Sequence, residues 1–376
     1  MAHTRRAKSG RGWEARYRDR LGKERARTFA TKREAERFLA RQSADMQRGD
    51  YLDPRLARTT FGEWAEVWLE TTIHLKPKTH ATYESILRSR VLPAFAKSRI
   101  AAIEQIDVRR FVADLANAGD EPGTIRNTFN VVRLVFGTAV SSGAVRVNPC
   151  TGLRMPKSPR KEMLFLTAEQ VLDLADAIAP AYRLLVVFAA YTGLRAGEIG
   201  AVRVSRLDTQ RGTLTVKESL ADVNGKLVFG PTKTYADRTV RMPRFLCEML
   251  AAHLSGPHAP DDLVFTGPSG GPLRHNLFYT RHFKPAVARA GLPDALRFHD
   301  LRHTCAALLI AQGAHPKAIM ERLGHSTIQV TLDRYGHLFP TLDESLADGL
   351  DATYRSSLDA RAFPGGPCEH ADAAEG

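Results

Sequence analysis

Residues 148–162, NPCTGLRMPKSPRKE, are the stretch of this sequence that most limits its fold. The stretch has three prolines and four basic residues, and no helical or strand periodicity. Because proline lacks an N–H and disfavours a helix at the residue before it, the stretch is predicted to be an interdomain linker. Apolar residues before it recur with helical spacing, whereas those after it show helical and strand patterns. The 376 residues are therefore predicted to form a multidomain α+β protein with two or three domains.

The segment before the linker, residues 59–147, is predicted to be an all-α bundle. Thr60 and Glu63 have the spacing of a capping box. Four groups of apolar residues follow at helical intervals, and basic residues occupy the other faces. The groups are Trp64, Val67 and Trp68; Tyr83, Ile86 and Leu87; Val108, Phe111, Val112 and Leu115; and Ile125, Phe129, Val132, Val135 and Phe136.

The first 58 residues carry most of the excess positive charge. They hold 17 Lys and Arg against 8 Asp and Glu, in a chain of net charge +13. The alternation in WEARYRD and RARTF predicts a hairpin, and Thr31 with Glu34 predicts the start of a helix. A small basic sheet-plus-helix domain favours nucleic acid as partner over a merely soluble basic protein. The candidate DNA contacts here and in the bundle are Arg16, Arg18, Arg25, Arg27, Lys76, Lys78, Arg126 and Arg133.

Residues 163–350 are predicted to form a mixed, mainly helical domain with a small antiparallel sheet. TAEQVLDLADAI and AYRLLVVFAAYTG are typical of helices, and the second is apolar almost throughout and therefore central. GTLTVKESL, KLVFG and RTVRMP are typical of strands, with Asn224-Gly225 and KTYADR as their turns. Helices return after Pro243 to about residue 348. Residues 351–376 are predicted to be a flexible tail.

The cysteine pattern and the hydropathy bear on the compartment. Cys150, Cys247, Cys305 and Cys368 include no CxxC pair, which argues against a zinc cage or a disulfide framework and fits a reducing compartment. The longest apolar run, LLVVFAA, is too short to span a bilayer. The basic N-terminus lacks the apolar segment of a secretory signal. The chain is therefore predicted to be cytoplasmic, with no membrane partner.

Three motifs in the mixed domain place polar residues at element ends. TGLRAGEI puts Arg195 between two helices, PTKTYADRTV puts Lys233 in a hairpin turn, and HDLRHT puts His299, Arg302 and His303 on one helical face. The other face of that helix is apolar and is expected to pack on the core. Each motif has an ordinary interpretation by itself: a capping arginine, a solvated lysine, or half of a zinc site. The zinc interpretation lacks an HExxH glutamate and a third ligand.

A fourth motif, LGHSTIQVTLDRYGHLF, contains His325 and Tyr335 in a segment with helical periodicity. Ser326 is a candidate cap, and Ile328, Leu332 and Tyr335 lie at i, i+4 and i+7. The ordinary interpretation makes Tyr335 the third member of a buried stripe. The functional one keeps Ile328 and Leu332 in the core as anchors, with a reactive tyrosine at the end of the helix.

Together the four motifs supply what phosphodiester chemistry requires. A phosphodiester attacked by an oxygen nucleophile gains negative charge on its non-bridging oxygens, which guanidinium groups hold well. A tyrosine, with a usual pKa of about 10, becomes a nucleophile where positive charge favours its phenolate. A lysine on a turn can protonate the leaving oxygen. The sequence has no P-loop and no carboxylates spaced for Mg²⁺, so neither metal nor cofactor is expected.

In order and spacing the four motifs resemble those of the tyrosine recombinases, the phage-integrase family. The most specific part is the stretch from His325 to Tyr335. The resemblance extends to the domain plan, and implies an arm-DNA-binding domain over residues 1–58, a core-DNA-binding domain over 59–147 and a catalytic domain over 163–350.

The resemblance also implies a role for each site residue. Tyr335 matches the nucleophile. Glu198 matches a position that supports the first arginine, His303 is a second supporting residue, and Lys226 is an alternative to Lys233. The residues that match the activating set are Arg195, Lys233, His299, Arg302 and His325.

The implied activity is site-specific DNA recombination by an integrase of a phage or other mobile element. Tyr335 would attack a DNA phosphate to give a 3′-phosphotyrosyl link and a free 5′-hydroxyl, and exchanges through a Holliday junction would follow without metal or ATP. The implied partners are double-stranded DNA attachment sites and three further copies of the chain, with a directionality factor and a host DNA-bending protein left open. Three alternatives stay open: a type IB topoisomerase, a non-catalytic DNA-binding regulator and a metal-dependent nuclease.

Overall fold

The computed structural model describes residues 2–8, 10–19, 22–48, 53, 55–157, 162–232, 237–339 and 343–362. The chain divides into two compact units, residues 1–161 with 222–226, and residues 162–221 with 227–376. The main boundary falls at the end of the predicted linker. The further division of the first unit at residue 58 stays a prediction.

The first unit begins with a three-stranded antiparallel sheet and a helix. The strands β1 (His3–Arg6), β2 (Trp13–Arg18) and β3 (Glu24–Phe29) lie in that order, and α1 (Lys32–Arg48) packs on them. The predicted capping box forms, with the backbone N–H of Glu34 donating to Thr31 Oγ1. The strand β1 was not predicted, because HTRR has no apolar alternation and is held to β2 by backbone pairing.

An all-α part completes the first unit. Its helices are α2 (Phe61–Thr71), α3 (Pro77–Ile86), α4 (Leu92–Phe95), α5 (Gln105–Asn117) and α6 (Pro122–Ser141). Thr60 and Glu63 form the predicted capping box of α2. The predicted apolar groups form one core, except that Val67 is 48% exposed.

The second unit is mainly helical with two small sheets. Its helices are α7 (Ala168–Ala177), α8 (Pro180–Thr192), α9 (Ala196–Ile199), α10 (Arg244–His253), α11 (His275–Phe278), α12 (Lys284–Arg289), α13 (Asp300–Ala311), α14 (Pro316–Leu323), α15 (Ile328–Tyr335) and α16 (Asp343–Ala362). Its strands are β4 (Leu207–Asp208), β5 (Thr213–Val216), β6 (Glu218–Val223), β7 (Lys226–Pro231) and β8 (Arg238–Arg241).

The strands pair in two groups. An antiparallel sheet has the order β4-β5-β8, and β6 pairs with β7 across the predicted Asn224-Gly225 turn. Both turn residues have positive φ, 51° and 82°, as a tight hairpin requires. The predicted multidomain α+β class is confirmed.

The helix α8 forms the centre of this unit, as its apolar sequence predicts. All residues from Leu184 to Ala190 are buried, and α7 and α13 pack against them. The helix ends at Gly193, in the left-handed region with φ 69°. A Cβ there would lie 2.6 Å from Leu323 Cδ2, so glycine is required for the end of α14 to meet the end of α8.

The helix α16 includes residues 351–362, the first part of the predicted flexible tail, and residues 363–376 lie outside the described residues. Neither glycine nor proline interrupts residues 351–362, and an ion pair joins Asp351 to Arg355 one turn on. Leu350, Tyr354 and Leu358 lie along one side of the helix and are 72%, 64% and 46% exposed. Within the described residues no helix combines the length and apolarity needed to cross a membrane.

Candidate active site

Arg195 lies where α8 ends and α9 begins. As N-cap of α9 it donates its backbone N–H to Glu198 Oε2 at 2.9 Å, and its Nη1 donates to Glu198 Oε1 at 2.8 Å. Its Nη2 donates to the carbonyl oxygen of Gly324 at 3.0 Å. The guanidinium is therefore fixed by a carboxylate on its own helix and by the turn after α14.

Glu198 is buried between two arginines, and the second of them was not predicted. Arg238, from β8, donates to both carboxylate oxygens, at 3.1 Å from Nη1 and 2.7 Å from Nη2. Burial acts to raise the pKa of Glu198, but the hydrogen bonds and charges of Arg238 and Arg195 hold it down at about 2. The predicted support of Arg195 by Glu198 agrees with this geometry, and Arg238 extends it.

Arg302 lies on α13, packed against the end of α8. Its Nη1 donates to the carbonyl oxygen of Gly193 at 2.7 Å. Burial, with Arg195 nearby, lowers its pKa to about 9, so the guanidinium remains charged at neutral pH. As predicted, Leu301 and Cys305 on the apolar side of α13 are buried, but Arg302 and His303 on the polar side are buried as well.

Tyr335, the last residue of α15, is completely buried. Its hydroxyl shares a hydrogen bond of 2.8 Å with His303 Nδ1. Burial raises the pKa of Tyr335 to about 12, although Arg302 and Arg334 act to lower it. Positive charge therefore acts in the direction expected, toward the phenolate, but burial has the larger effect and keeps the hydroxyl protonated.

The buried side of α15 differs from the predicted stripe. Ile328 and Leu332 are 40% and 38% exposed, and Thr331 and Tyr335 are the buried pair, one turn apart. The predicted cap, Ser326, is also wrong, because Thr327 is the N-cap and its side chain makes no cap hydrogen bond. Periodicity alone could not distinguish these registers, since a threonine counts as polar in the pattern.

His325 follows Gly324, which ends α14 in the left-handed region with φ 65°. Its Nδ1 shares a hydrogen bond of 2.8 Å with Thr331 Oγ1, so Thr331 orients the ring. Its Nε2 is buried and has no hydrogen-bond partner among the described residues. Burial, together with Arg302 and Arg334, lowers the pKa of His325 to about 3, which leaves the imidazole neutral.

The remaining histidines of HDLRHT have different environments. His299 is the N-cap of α13 and is exposed, with its ring centre 5.0 Å from that of His303. His303 is buried, and its pKa is lowered to about 4 mainly by that burial. Among the described residues no group of three ligands could hold a metal ion. Lys233 lies outside the described residues, and Lys226 opens β7.

The candidate DNA-contacting residues fall into two classes. In the sheet, Arg25 pairs with Asp19 and Asp53, and Arg16 pairs with Glu14 and Glu24. Exposed basic side chains make up the second class, in which Arg27 also lies over the rings of Phe29 and Phe38. This class consists of Arg18, Arg27, Lys78, Arg126 and Arg133, with Lys76 partly buried at the start of α3.

Comparisons with known proteins identify the family. The Phage integrase family model matches residues 164–341, and the Phage integrase N-terminal SAM-like domain matches residues 60–116. The integrase of Mycobacterium phage FRAT1 is 31% identical over 295 residues, 77% of this chain and 86% of that protein. The putative prophage phiRv2 integrase of Mycobacterium tuberculosis H37Rv is 30% identical over 352 residues, 90% and 92% of the two chains.

Solved structures share the fold. The Tn1549 transposon integrase in complex with a circular intermediate DNA has a TM-score of 0.68 at 19% identity, over 78% of this chain and 99% of that one. The lambda integrase tetramer bound to a Holliday junction has a TM-score of 0.56 at 20% identity, over 86% and 95%. The matched residues 164–341 include every motif of the candidate site. The chain belongs to the phage integrase family and is a tyrosine-type site-specific recombinase.

Proposed function

We propose that this recombinase cuts and rejoins double-stranded DNA with Tyr335 as nucleophile and with Arg195, Arg302 and His325 as the groups that hold the scissile phosphate. The observation that carries the proposal is the convergence of these four side chains from the α8–α9 junction, α13, the turn after α14, and α15. Arg195 donates to Gly324, the residue before His325, and Arg302 donates to Gly193, two residues before Arg195. The ring centre of His325 lies 6.3 Å from that of Tyr335. The positive charges of Arg195 and Arg302 beside a buried phenol destabilise the folded protein unless an anion binds there.

The phosphate would be held by groups that already point into the site. His325 Nε2 is buried without a partner among the described residues and can donate to a non-bridging oxygen once it carries a proton. A bound phosphate would favour that proton, because a negative charge raises the pKa of an imidazole. The two guanidinium groups would hold the developing charge on the other oxygens.

The cleavage step exchanges one phosphoester for another. The Tyr335 oxygen forms a bond to phosphorus, the bond from phosphorus to the 5′-oxygen breaks, and the phenol proton passes to His303, its present hydrogen-bond partner. Lys233 is proposed to give a proton to the leaving 5′-oxygen. The 5′-hydroxyl of a second duplex then reverses the step. The number of phosphoester bonds is unchanged, so the exchange requires no ATP.

Tyr335 must become accessible before it can react. Its side chain is completely buried, and its hydroxyl is bonded to His303. The short helix α15 lies between Gly324 and Gly336, so it can shift without unfolding the core around α8. We propose that binding of DNA shifts α15 so that the hydroxyl reaches phosphorus while His303 still accepts its proton.

The proposed DNA contacts divide along the first unit. Arg126 and Arg133 are exposed on one side of α6, and Lys78 is exposed in the first turn of α3. Arg25 is held by Asp19 and Asp53, so its geometry favours a structural role in the sheet. Each phosphate that these side chains neutralise would steepen the log–log salt dependence of binding by about 0.9. Residues 1–58 are proposed to bind separate arm sites.

The proposed assembly is a homotetramer on two DNA sites in the cytoplasm of a host bacterium. The exposed side of α16, with Leu350, Tyr354 and Leu358, supports contact with a neighbouring copy. A cavity of about 290 Å³ in the second unit is lined by Leu308, Leu309, Met242 and two arginines, which would suit an apolar, acidic helix. A directionality factor and a host DNA-bending protein are compatible with this plan.

The proposal is tested on a nicked DNA substrate that traps covalent intermediates. Wild-type protein should form an adduct that migrates with DNA in a denaturing gel, and Tyr335→Phe should form none while binding the same DNA. Adduct formation by Tyr335→Phe would contradict the assignment. A topoisomerase would instead relax a plasmid without pairing two sites, and a metal-dependent nuclease would lose its activity in EDTA.

A further inference from the structure

Arg238 is held at the point where the supports of two proposed phosphate-binding residues meet. Its Nη1 and Nη2 donate to Glu198, the carboxylate that fixes Arg195. Its Nε donates to the carbonyl oxygen of Arg322 at 3.1 Å, in the last turn of α14 before His325. The side chain is 10% exposed, so these bonds are shielded from water. One guanidinium therefore joins β8, α9 and α14.

The packing around this guanidinium is equally close. A Cβ on Gly324 would lie 2.9 Å from Arg238 Nη1 and 3.0 Å from its Cζ. The same Gly324 accepts a hydrogen bond from Arg195 through its carbonyl oxygen. The turn that aims His325 is thus enclosed between Arg195 on one side and Arg238 on the other.

The charges lead to a functional consequence. Glu198 and Arg195 alone would form a neutral pair, with the arginine compensated before any phosphate arrived. With Arg238 the group of three carries one net positive charge. Because Glu198 is buried, its attraction for Arg195 is poorly screened, and a second cation on the same carboxylate leaves Arg195 freer to bind an anion.

We infer that Arg238 is a positioning residue for strand cleavage. It compensates the negative charge of Glu198, so that the positive charge of Arg195 attracts the phosphate, and it fixes the turn before His325. The inference rests on the proposed function. Arg238 acts through Glu198 and the backbone of α14 and is not assigned a contact with DNA. It also lies at the start of β8, directly after the segment that contains Lys233.

The test measures the rate of covalent adduct formation at saturating DNA, DNA affinity and thermal unfolding for four variants. Arg238→Gln should slow adduct formation at least about tenfold, because the loss of a full charge from a site shielded from water leaves the buried carboxylate to attract Arg195 alone. Its affinity for DNA should change less than about twofold, because many phosphate contacts contribute to the binding free energy. Arg238→Lys should be intermediate, because it keeps the charge and loses the fork.

The double variant Glu198→Gln with Arg238→Gln distinguishes an effect of Arg238 on the charge balance around Arg195 from a structural disturbance. Removing the carboxylate together with its second partner leaves Arg195 uncompensated, so the double variant should form adduct faster than Arg238→Gln alone. Arg244→Gln is the matched control, an arginine that pairs with the exposed carboxylate of Glu248, and should cleave like wild type. If the double variant cleaves no faster than Arg238→Gln, or if Arg238→Gln cleaves like wild type, the inference is wrong. Absence of adduct in the wild type would instead refute the proposed function.

Discussion

The two halves of the candidate site are held by different forces. On one side Arg195, Glu198 and Arg238 form charged hydrogen bonds of 2.7 to 3.1 Å around a buried carboxylate. On the other side Tyr335, on a helix of eight residues, shares a hydrogen bond with the neutral imidazole of His303 and packs in a small apolar cluster with Ile310, Ile319 and Leu323. We propose that the first half is rigid before DNA binds and that the second, mobile half rearranges.

This difference fits what each half has to do. Groups that stabilise a transition state act best when they are fixed in advance, because they then pay no reorganisation during the reaction. A nucleophile that is exposed before the correct DNA site is bound could cleave other DNA. Burial raises the pKa of Tyr335 to about 12, which keeps the hydroxyl protonated until the site changes. Substitutions in the rigid half should therefore slow cleavage most.

The largest effect is expected for Arg195→Lys. A lysine keeps the positive charge but cannot donate to Glu198 and Gly324 while also binding a phosphate oxygen. Cleavage of the nicked substrate should fall on the order of 100- to 1,000-fold, the cost typical of losing one preorganised donor. The rate of adduct formation at saturating DNA measures this.

The control for Arg195→Lys is Arg183→Lys, an arginine on α8 whose partner, Asp176, is exposed. It should cleave at the wild-type rate. If Arg195→Lys did the same, the bidentate geometry would not matter for the reaction.

The next effect is a loss of stability in Glu198→Gln, and it depends on pH. The pKa of Glu198 is about 2 in the folded chain and 4.5 in the reference state, so its contribution is complete above pH 4.5 and disappears as the pH falls toward 2. A shift of this size corresponds to about 3 kcal/mol of unfolding free energy at neutral pH. Urea unfolding of both proteins from pH 7 to pH 3 should show the difference shrinking with acid.

A surface pair gives the comparison for Glu198. Glu248 pairs with Arg244 at 3.1 Å, and both side chains are largely exposed. Glu248→Gln should change the unfolding free energy by less than about 1 kcal/mol at any pH. A loss as large as that of Glu198→Gln would remove the distinction between the buried pair and the exposed one.

A smaller effect is expected in the mobile half for Thr331→Val. Valine keeps the shape of this buried residue but removes the hydroxyl that holds His325 Nδ1. Loss of one such hydrogen bond is worth about 1 kcal/mol, so cleavage should slow by roughly fivefold to tenfold with unchanged DNA affinity. Thr327→Val, at the exposed N-cap of the same helix, should cleave like wild type. Equal losses in both variants would show that α15 is merely disturbed.

The comparison also explains which parts of the site could be predicted from the sequence. Glu198 was found because it lies in the same motif as Arg195 and matches a supporting position in the family that the motif resembles. Arg238 is 40 residues away from Glu198 along the chain, and only the packing of β8 against α9 and α14 brings them together. Thr331 was missed because an orienting hydroxyl leaves no mark on a hydrophobic pattern.

The fold shows the same limit. The long apolar groups predicted α8 and the helices of the first unit, because burying them dominates the free energy of folding. The strand β1 depends on backbone pairing, which has no apolar signal, and α16 is exposed along the side that holds Leu350 and Tyr354. The eight residues of α15 have too few apolar positions for periodicity to fix which side is buried.

The smallest effect is expected for Leu332→Ala, on the side of α15 that the sequence placed in the core. Leu332 is 38% exposed, so its truncation should change the unfolding free energy by less than about 1 kcal/mol. Leu323→Ala is the matched comparison in the rigid half, because Leu323 is completely buried against Gly193 and should cost about 2–5 kcal/mol. Urea unfolding at neutral pH measures both. A large loss in Leu332→Ala would mean that α15 is anchored as firmly as α14, and the rearrangement proposed for Tyr335 would then lose its physical basis.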